Sequence, residues 1–391
     1  MSLHSAVDQE IRDLIQKDGR ITFARFMQAC LYSPRGGFYS SRGARISTHF
    51  GTSPTSHPVF GALIARQLEQ MWRLLGEPPV FHVIEVGSGD GALARSIVDA
   101  CWRMAPGLAQ ALYYAAADYD PSWFQSPDHT SGWDYGVEGS MVPKRDDTIL
   151  GIQRVKAKGL QPFQNVVGCI LCNELIDNFP VHRFAIQGGR VREIFVTLAG
   201  GKLTEVLDEP SSPRIAERLA GLGLSLPEGY RGEVNLAMED WTSQLARTLD
   251  RGFILTIDYG QLATVLYSRQ NAQGTLVCYD RHVAGSDPYQ EIGQQDITAH
   301  VDFTSLMRLG DRHGLATVGY ALQSEFLMNL GFSSFLEALQ RQDLSAARME
   351  LSRMSMMTLV DADEYGGFKV LAQAKGLEPG IELEGFNGQG T

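Results

Sequence analysis

Val80-Phe81-His82-Val83-Ile84-Glu85-Val86-Gly87-Ser88-Gly89-Asp90-Gly91-Ala92-Leu93 is the stretch that decides the fold. An apolar, β-branched run ends in an acid, and three glycines follow at alternate positions. Leu93-Ala94-Arg95-Ser96-Ile97-Val98 then reads as a helix start. Strand, glycine turn and helix make the first unit of a doubly wound α/β sheet, in which ligands sit at the carboxyl ends of the strands. The glycines remove Cβ atoms, so positive φ is allowed and a ligand can approach the backbone. The helix N-terminus behind them offers N–H groups and partial positive charge.

Two nucleotide-type ligands compete for such a turn. Gly87-x-Gly89-x-x-Ala92 satisfies the dinucleotide fingerprint, which expects an acid about 20 residues further on for the ribose. Residues 103–110 hold no acid, and the next strand, expected at 111–117, ends at Asp118, too late for that fingerprint. Glu85-x-Gly87-x-Gly89-x-Gly91 is instead the motif I pattern of class I methyltransferases, which points to S-adenosyl-L-methionine. An acid at the strand end with backbone N–H groups suits the ammonium and carboxylate of its methionine moiety. Asp118 would take both ribose hydroxyls in charge-assisted hydrogen bonds. The expected cofactor contacts are Glu85, Gly87, Ser88, Gly89, Gly91 and Asp118, together with Asn173 at a later strand end.

The composition sets bounds around this core. A chain of 391 residues holds two domains or one large α/β domain with insertions, and 44% hydrophobic residues supply a real core. A formal net charge of −11 argues against nucleic acid as the main partner. Five cysteines are few and odd in number, which suits a reducing cytosol, so a cytoplasmic location is expected. Residues 1–10 read as neither a secretory signal nor a transit peptide, and no apolar run approaches bilayer length. The expected partners are a protein substrate or a small-molecule methyl acceptor, with no membrane contact and with a homodimer allowed.

Along the chain, helical periodicity covers residues 6–32, interrupted at Gly19 and restarted with Thr22 as N-cap. An amphipathic helix is expected over 59–75. Residues 1–78 thus form a helical layer with a substrate-side loop. A main domain spans 79–376, with insertions near 181–245 and 261–315. A third strand falls somewhere within 148–155, and residues 166–172 make a clear buried fourth strand. Residues 182–207 alternate around Gly188-Gly189 and Gly200-Gly201, which predicts a β-meander. The fifth strand, 252–257, ends at Asp258, and the last two strands are expected at 316–320 and 368–374. The Gly-rich, acidic tail 377–391 reads as flexible. Cys169-x-x-Cys172 has zinc spacing, but there is no second pair and a strand sends the two thiols to opposite faces, so no metal is expected.

By the strand-end rule, Glu85, the glycine turn, Asp118, Asn173-Glu174 and Asp258-Tyr259 line the cleft. The Asn173 amide is placed to orient an amine, guanidine or hydroxyl. Glu174 and Asp177 are placed to attract a cation or accept a proton; the alternative is Asn173 as N-cap with both acids in the first turn, which accounts better for Asp177 than for Glu174. His300 and Asp302 share a face in extended geometry and are general-base candidates, with a hydrogen-bonded structural pair as the alternative. The catalytic candidates are therefore Asn173, Glu174, Asp177, His300 and Asp302. Methyl transfer chiefly requires alignment of nucleophile, methyl and sulfur, and then a proton acceptor.

With these residues in view, the chain resembles the MidA-like family of class I methyltransferases, which includes a mitochondrial complex I assembly factor that methylates an arginine. The resemblance runs from Phe23 to Ala374. It rests on Tyr32-x-Pro34-x-x-Gly37-x-Tyr39, Thr52-Ser53-Pro54 with Phe60-Gly61, and Glu85-x-Gly87-x-Gly89-x-Gly91. It continues through Asn173-Glu174-x-x-Asp177-x-x-Pro180-Val181, Asp258-Tyr259-Gly260, Gly274-Thr275-Leu276 and Asp296-Ile297-Thr298-Ala299-His300-Val301-Asp302-Phe303. It implies a Rossmann-like S-adenosyl-L-methionine-dependent methyltransferase acting on a protein arginine. The chain departs from the family at His49-Phe50-Gly51 and Thr55, where carboxylates are replaced, and at Gly87-Ser88-Gly89-Asp90-Gly91, where the backbone logic is kept. The two lost carboxylates leave a small-molecule N- or O-acceptor, or a non-catalytic assembly role, as the alternatives.

Overall fold

The near-continuous apolar runs of the sequence become strands buried on both faces, as parallel sheets require. In the computed structural model, which describes residues 5–41, 52–119, 151–157, 159–280 and 283–387, seven strands form the main sheet, the central ones buried and the edge strands part-exposed. They are β1 (Phe81–Val86), β2 (Leu112–Asp118), β3 (Ile152–Lys156), β4 (Val166–Asn173), β5 (Leu249–Asp258), β6 (Ala316–Leu322) and β7 (Lys369–Lys375). Their order is β6-β7-β5-β4-β1-β2-β3. Pairings among β1 to β5 are parallel, and β7 runs antiparallel between β5 and β6. The order reverses direction between β1 and β4, so the crevice outside their carboxyl ends is the expected ligand position.

Close approach of β4 to its neighbours depends on glycine. A Cβ on Gly168 would lie 2.0 Å from the His82 carbonyl oxygen, and one on Gly252 would lie 2.0 Å from that of Gly168. Above the sheet, helix Val59–Leu74 buries Val59, Phe60, Leu63, Ile64, Leu68 and Met71, the spacing of one helical face. It packs on helix Ala92–Met104 with so little clearance that a Cβ on Gly61 would come within 2.1 Å of Ser96 Oγ.

The chain divides into two compact units, one of residues 51–174, 243–259 and 310–391, the other of 1–50, 175–242 and 260–309. The first holds the main sheet. The second holds helices Ala6–Asp18 and Phe23–Tyr32, the latter capped where expected, with the Thr22 side chain accepting from the Arg25 N–H. The expected meander is there as Arg190–Ala199 between His182–Gln187 and Lys202–Asp208. Ile21 and Thr22 pair with Val196 and Phe195, which ties the N-terminal segment into that sheet. A second small sheet joins Val277–Asp280 to Val283–Gly285 and Asp296–Thr298.

Two expectations are corrected. Residues 1–78 do not form one layer: helices Ala6–Asp18 and Phe23–Tyr32 fall in one unit and helix Val59–Leu74 in the other, because each buries its apolar stripe on a different core. Residues 377–387 are not a loose tail. Leu383 and Phe386 are buried, the Phe386 ring lies tilted against Phe326 with centroids 5.1 Å apart, and the Gly385 N–H donates to Gln67 Oε1 at 3.0 Å. Two apolar anchors outweigh the polar composition around them. The expected third strand is realised as β3; residues 148–150, the 120–145 stretch and the departure at residues 49–51 lie outside the described residues.

Gly61→Ala is expected to lower stability by about 1–3 kcal/mol through overpacking against Ser96, read as a lower midpoint of thermal unfolding. A second substitution, Ser96→Gly, should recover most of that loss. An unchanged midpoint in Gly61→Ala would contradict the close helix contact.

Candidate functional site

The site is built where β1 and β2 end side by side. Gly87, Gly89 and Gly91 all have positive φ (77°, 52° and 77°), the conformation that the alternate glycines permit. The Gly87 and Ser88 N–H groups donate to the Ala117 carbonyl at 2.9 and 3.2 Å, and the Gly91 N–H donates to Ser88 O at 2.9 Å. The Gly89 N–H donates to Asp118 Oδ2 at 2.9 Å. A Cβ on Gly89 would meet nothing within 4 Å, so the turn opens onto space rather than onto packed side chains. Asp90 Oδ1 accepts from the Ala92 N–H at 2.9 Å and starts the helix. The next N–H groups of that helix have no intrahelical acceptor, as at any helix start.

Two acids flank the turn. Asp118 is buried at the end of β2. Glu85 is 3% exposed on β1 and accepts from Tyr114 Oη at 2.7 Å. Burial pushes the Glu85 carboxyl up to about 8; the Tyr114 hydrogen bond pulls it down, Asp118 and Asp90 push it up, and Arg95 pulls it down. A carboxyl in the core of an apolar strand costs stability unless it serves a purpose.

The fourth and fifth strands supply the rest. Asn173 ends β4, and its Nδ2 donates to Glu174 Oε1 at 3.0 Å. Asn173 Oδ1 is buried with no hydrogen-bond partner, a vacant acceptor position. Glu174 sits at φ 48°, a conformation unusual for any residue but glycine, and its N–H is fixed to Ile257 O of β5 at 2.8 Å. Asp258 ends β5, fully buried, accepting from the Tyr259 N–H at 2.9 Å.

Of the residues expected from sequence, Glu85, Gly87, Ser88, Gly89, Gly91, Asp118, Asn173 and Glu174 are therefore gathered in the unit that holds the main sheet. Asp177, His300 and Asp302 belong to the other unit. There the Asp177 carbonyl accepts from the Ala299 N–H at 3.0 Å, and the His300 N–H donates to Thr275 Oγ1 at 3.2 Å. Asp302 caps helix Phe303–Arg312, accepting from the Ser305 N–H at 3.0 Å and from Ser305 Oγ.

Sequence reasoning missed two groups. Tyr114 is the partner of Glu85, and its signal was the period of two that puts Tyr114, Ala116 and Asp118 on one face of β2. In the other unit, Tyr39 Oη donates to Asp296 Oδ2 at 2.9 Å, and Asn178 Nδ2 donates to Asp296 Oδ1 at 3.0 Å. Burial pushes the Asp296 carboxyl up to about 6 against these hydrogen bonds. All three stand within or beside quoted motifs, but nothing in their spacing joins them. Cys169 and Cys172 are buried and free, and no group of metal-ligating side chains occurs among the described residues.

Comparison with known proteins points to the same cofactor. A family model of S-adenosyl-L-methionine-dependent methyltransferases matches residues 63–321. A crystal structure from Burkholderia thailandensis, bound to S-adenosyl-homocysteine, superposes with a TM-score of 0.79 at 28% identity, covering 97% of this chain and 94% of that one. The mitochondrial protein arginine methyltransferase NDUFAF7 of Bos taurus is 26% identical over 99% of this chain and 87% of its own. The Drosophila melanogaster homologue of that enzyme is 25% identical over 96% and 86%. The residues present fit an adenosyl ligand. The open face of Gly89 leaves room for it, and the buried carboxyls of Asp118 and Glu85 are of the kind that ribose hydroxyls and an ammonium require.

Asp118→Ala is expected to weaken binding of S-adenosylhomocysteine by about 1.5–3 kcal/mol, the worth of a hydrogen bond to a charged group. Calorimetric titration reads it, and undiminished affinity would remove Asp118 from the site.

Proposed function

The chain belongs to this family of S-adenosyl-L-methionine-dependent methyltransferases, and from that premise we propose that it methylates a side-chain nitrogen of arginine in a protein partner. The observation that carries this reading is the vacant acceptor at Asn173 Oδ1 beside the Glu174 carboxylate. Because Nδ2 is committed to Glu174, the amide presents its oxygen, and an oxygen acceptor selects a nucleophile that bears an N–H or O–H. The adjacent carboxylate favours a cation, and a guanidinium is both a cation and a multiple N–H donor. The names of the mitochondrial relatives support the same substrate class.

S-adenosyl-L-methionine supplies the electrophilic methyl group on its sulfonium. The protein's part is alignment and proton removal. Asn173 Oδ1 accepts an N–H of the attacking nitrogen and so directs its lone pair. Glu174, held by its backbone and by Asn173 Nδ2, pairs with the guanidinium and takes the proton that the nitrogen gives up. Thr55, where a family carboxylate is missing, has its own structural duty: its Oγ1 accepts from the Thr52 N–H at 2.9 Å and closes the first turn of the short helix Ser53–Ser56. A helix-capping position tolerates threonine in place of an acid, which supports keeping the arginine reading over a small-molecule acceptor.

The test is incubation with S-adenosyl-L-methionine labelled in the methyl group and arginine-containing peptides or partner extract. Label recovered as methylarginine after acid hydrolysis is the expected result; label found only in small molecules would overturn the reading. Asn173→Ala should lower kcat by about 10–100-fold, as misalignment of a nucleophile does. Affinity for S-adenosylhomocysteine should stay within about twofold, since the interaction lost is one made with the acceptor. A fall in cofactor affinity with kcat unchanged would move Asn173 to the cofactor side.

A further inference from the structure

Glu85 stands on an apolar strand between Ile84 and Val86, opposite Ala116 of β2 and Leu171 of β4. Its carboxylate accepts from a tyrosine of the neighbouring strand. Tyr114 is 1% exposed and shares its face of β2 with Leu112, Ala116 and Asp118. At 2.7 Å its hydroxyl is at the ordinary distance for an O–H donor to a carboxylate. Burial and the nearby Glu85 hold the Tyr114 hydroxyl well above the ordinary range, so it remains a donor throughout the working pH range.

We propose that Tyr114 is a positioning residue for cofactor recognition: by holding Glu85 Oε2 it orients the carboxylate toward the ammonium of S-adenosyl-L-methionine and favours the ionised form that the ammonium needs. The proposal rests on the reading of Glu85 as the ammonium receptor. Its consequence is that cofactor binding is coupled to a proton. Burial pushes the Glu85 carboxyl up to about 8 in the free protein, which favours the protonated acid at neutral pH. Binding of the ammonium then converts the carboxylic acid to a carboxylate paired with the ligand's –NH3+, and the proton leaves to solvent. The other ionisable groups that act on Glu85 are Asp118 on its β2 side, Asp90 in the turn, Arg95 on the helix and Cys172 on β4. The two aspartates hold the proton on Glu85 and Arg95 opposes them. The Cys172 thiol is pushed well above its ordinary range by burial and stays neutral.

The sign follows from one-proton linkage. Below pH 8, affinity falls as pH falls, by up to about tenfold per unit. Near and above pH 8 the ligand's own α-amino group, with an ordinary pKa of about 7.7–8.0, begins to lose its charge, so the informative window is pH 6 to 8. Without the Tyr114 donor the protonated form of Glu85 gains, so Tyr114→Phe must bind more weakly and release more proton at pH 8 than the wild type.

The experiment is calorimetry of S-adenosylhomocysteine at pH 6, 7 and 8 in buffers of different ionisation enthalpy, which counts protons released per ligand bound. The wild type is expected to release a proton on binding at pH 7 and to show little net release at pH 8, where Glu85 is already partly ionised and the ligand's amine takes up a proton. Tyr114→Phe should bind about 5–20-fold more weakly at pH 7 and release more proton than the wild type at pH 8. 5′-Methylthioadenosine, which has no ammonium, should show neither the proton nor the Tyr114 dependence. Unchanged affinity and proton count in Tyr114→Phe, or an equal loss for 5′-methylthioadenosine, would overturn the proposal while leaving the cofactor site standing. Failure of the wild type to bind either ligand would instead sink the reading of the site. If Tyr114→Phe does not fold, Glu85→Gln decides: proton release must vanish, and persistence of the wild-type count would overturn the proposal.

Discussion

Two strand ends held side by side by backbone hydrogen bonds are the constraint on which the site depends. The glycine turn after β1 gives its first N–H groups to Ala117 and its Gly89 N–H to Asp118. Positive φ at three alternate residues is what lets those N–H groups point toward β2 while the chain still enters the helix. Remove that conformation and the acid on β2 loses its fixed distance from the turn. The parallel register of β1 with both β2 and β4 then sets where Asn173 and Glu174 emerge. Local backbone chemistry thus determines the spacing of the acids, and the packed sheet keeps it.

The site is acidic without being metal-binding among the described residues. Glu85, Asp118, Glu174 and Asp258 emerge at four different strand ends, each engaged by a hydrogen bond rather than sharing one ion. Such a set matches a ligand that carries its positive charge in separate places, as an adenosyl amino acid with a sulfonium does. The guanidinium acceptor proposed for the site would add one more cation. The burial that makes these acids costly also strengthens their pull on a cation once water is excluded.

Much of this was legible in the sequence because it is written in short-range patterns. The alternate glycines, the apolar runs of β1, β4 and β5, the threonine cap before Phe23 and the paired glycines of the meander each depend on near neighbours along the chain. What was not legible depends on partners far away. Tyr114 is 29 residues from Glu85, and its pairing follows only from strand register. Tyr39, Asn178 and Asp296 come from three separate segments. Asp302 read as one member of a histidine pair because alternation suggests a shared face, whereas the chain turns into a helix at Phe303 and the carboxylate closes that turn. The last residues read as loose by composition, and two buried side chains, Leu383 and Phe386, decide otherwise.

The division of the chain carries a consequence for its biosynthesis. The backbone passes from one unit to the other after residues 50, 174, 242, 259 and 309. In the main sheet, β7, the last strand in sequence, lies between β5 and β6 rather than at an edge. On the ribosome the sheet therefore stays open until residue 375 has left the exit tunnel, with β5 and β6 presenting unpaired backbone in the meantime. Contacts of long sequence separation close late and slowly. Strand edges thus stay unpaired until β7 is made, and a premature stop shortly before β7 leaves a gap inside the sheet rather than a shorter one.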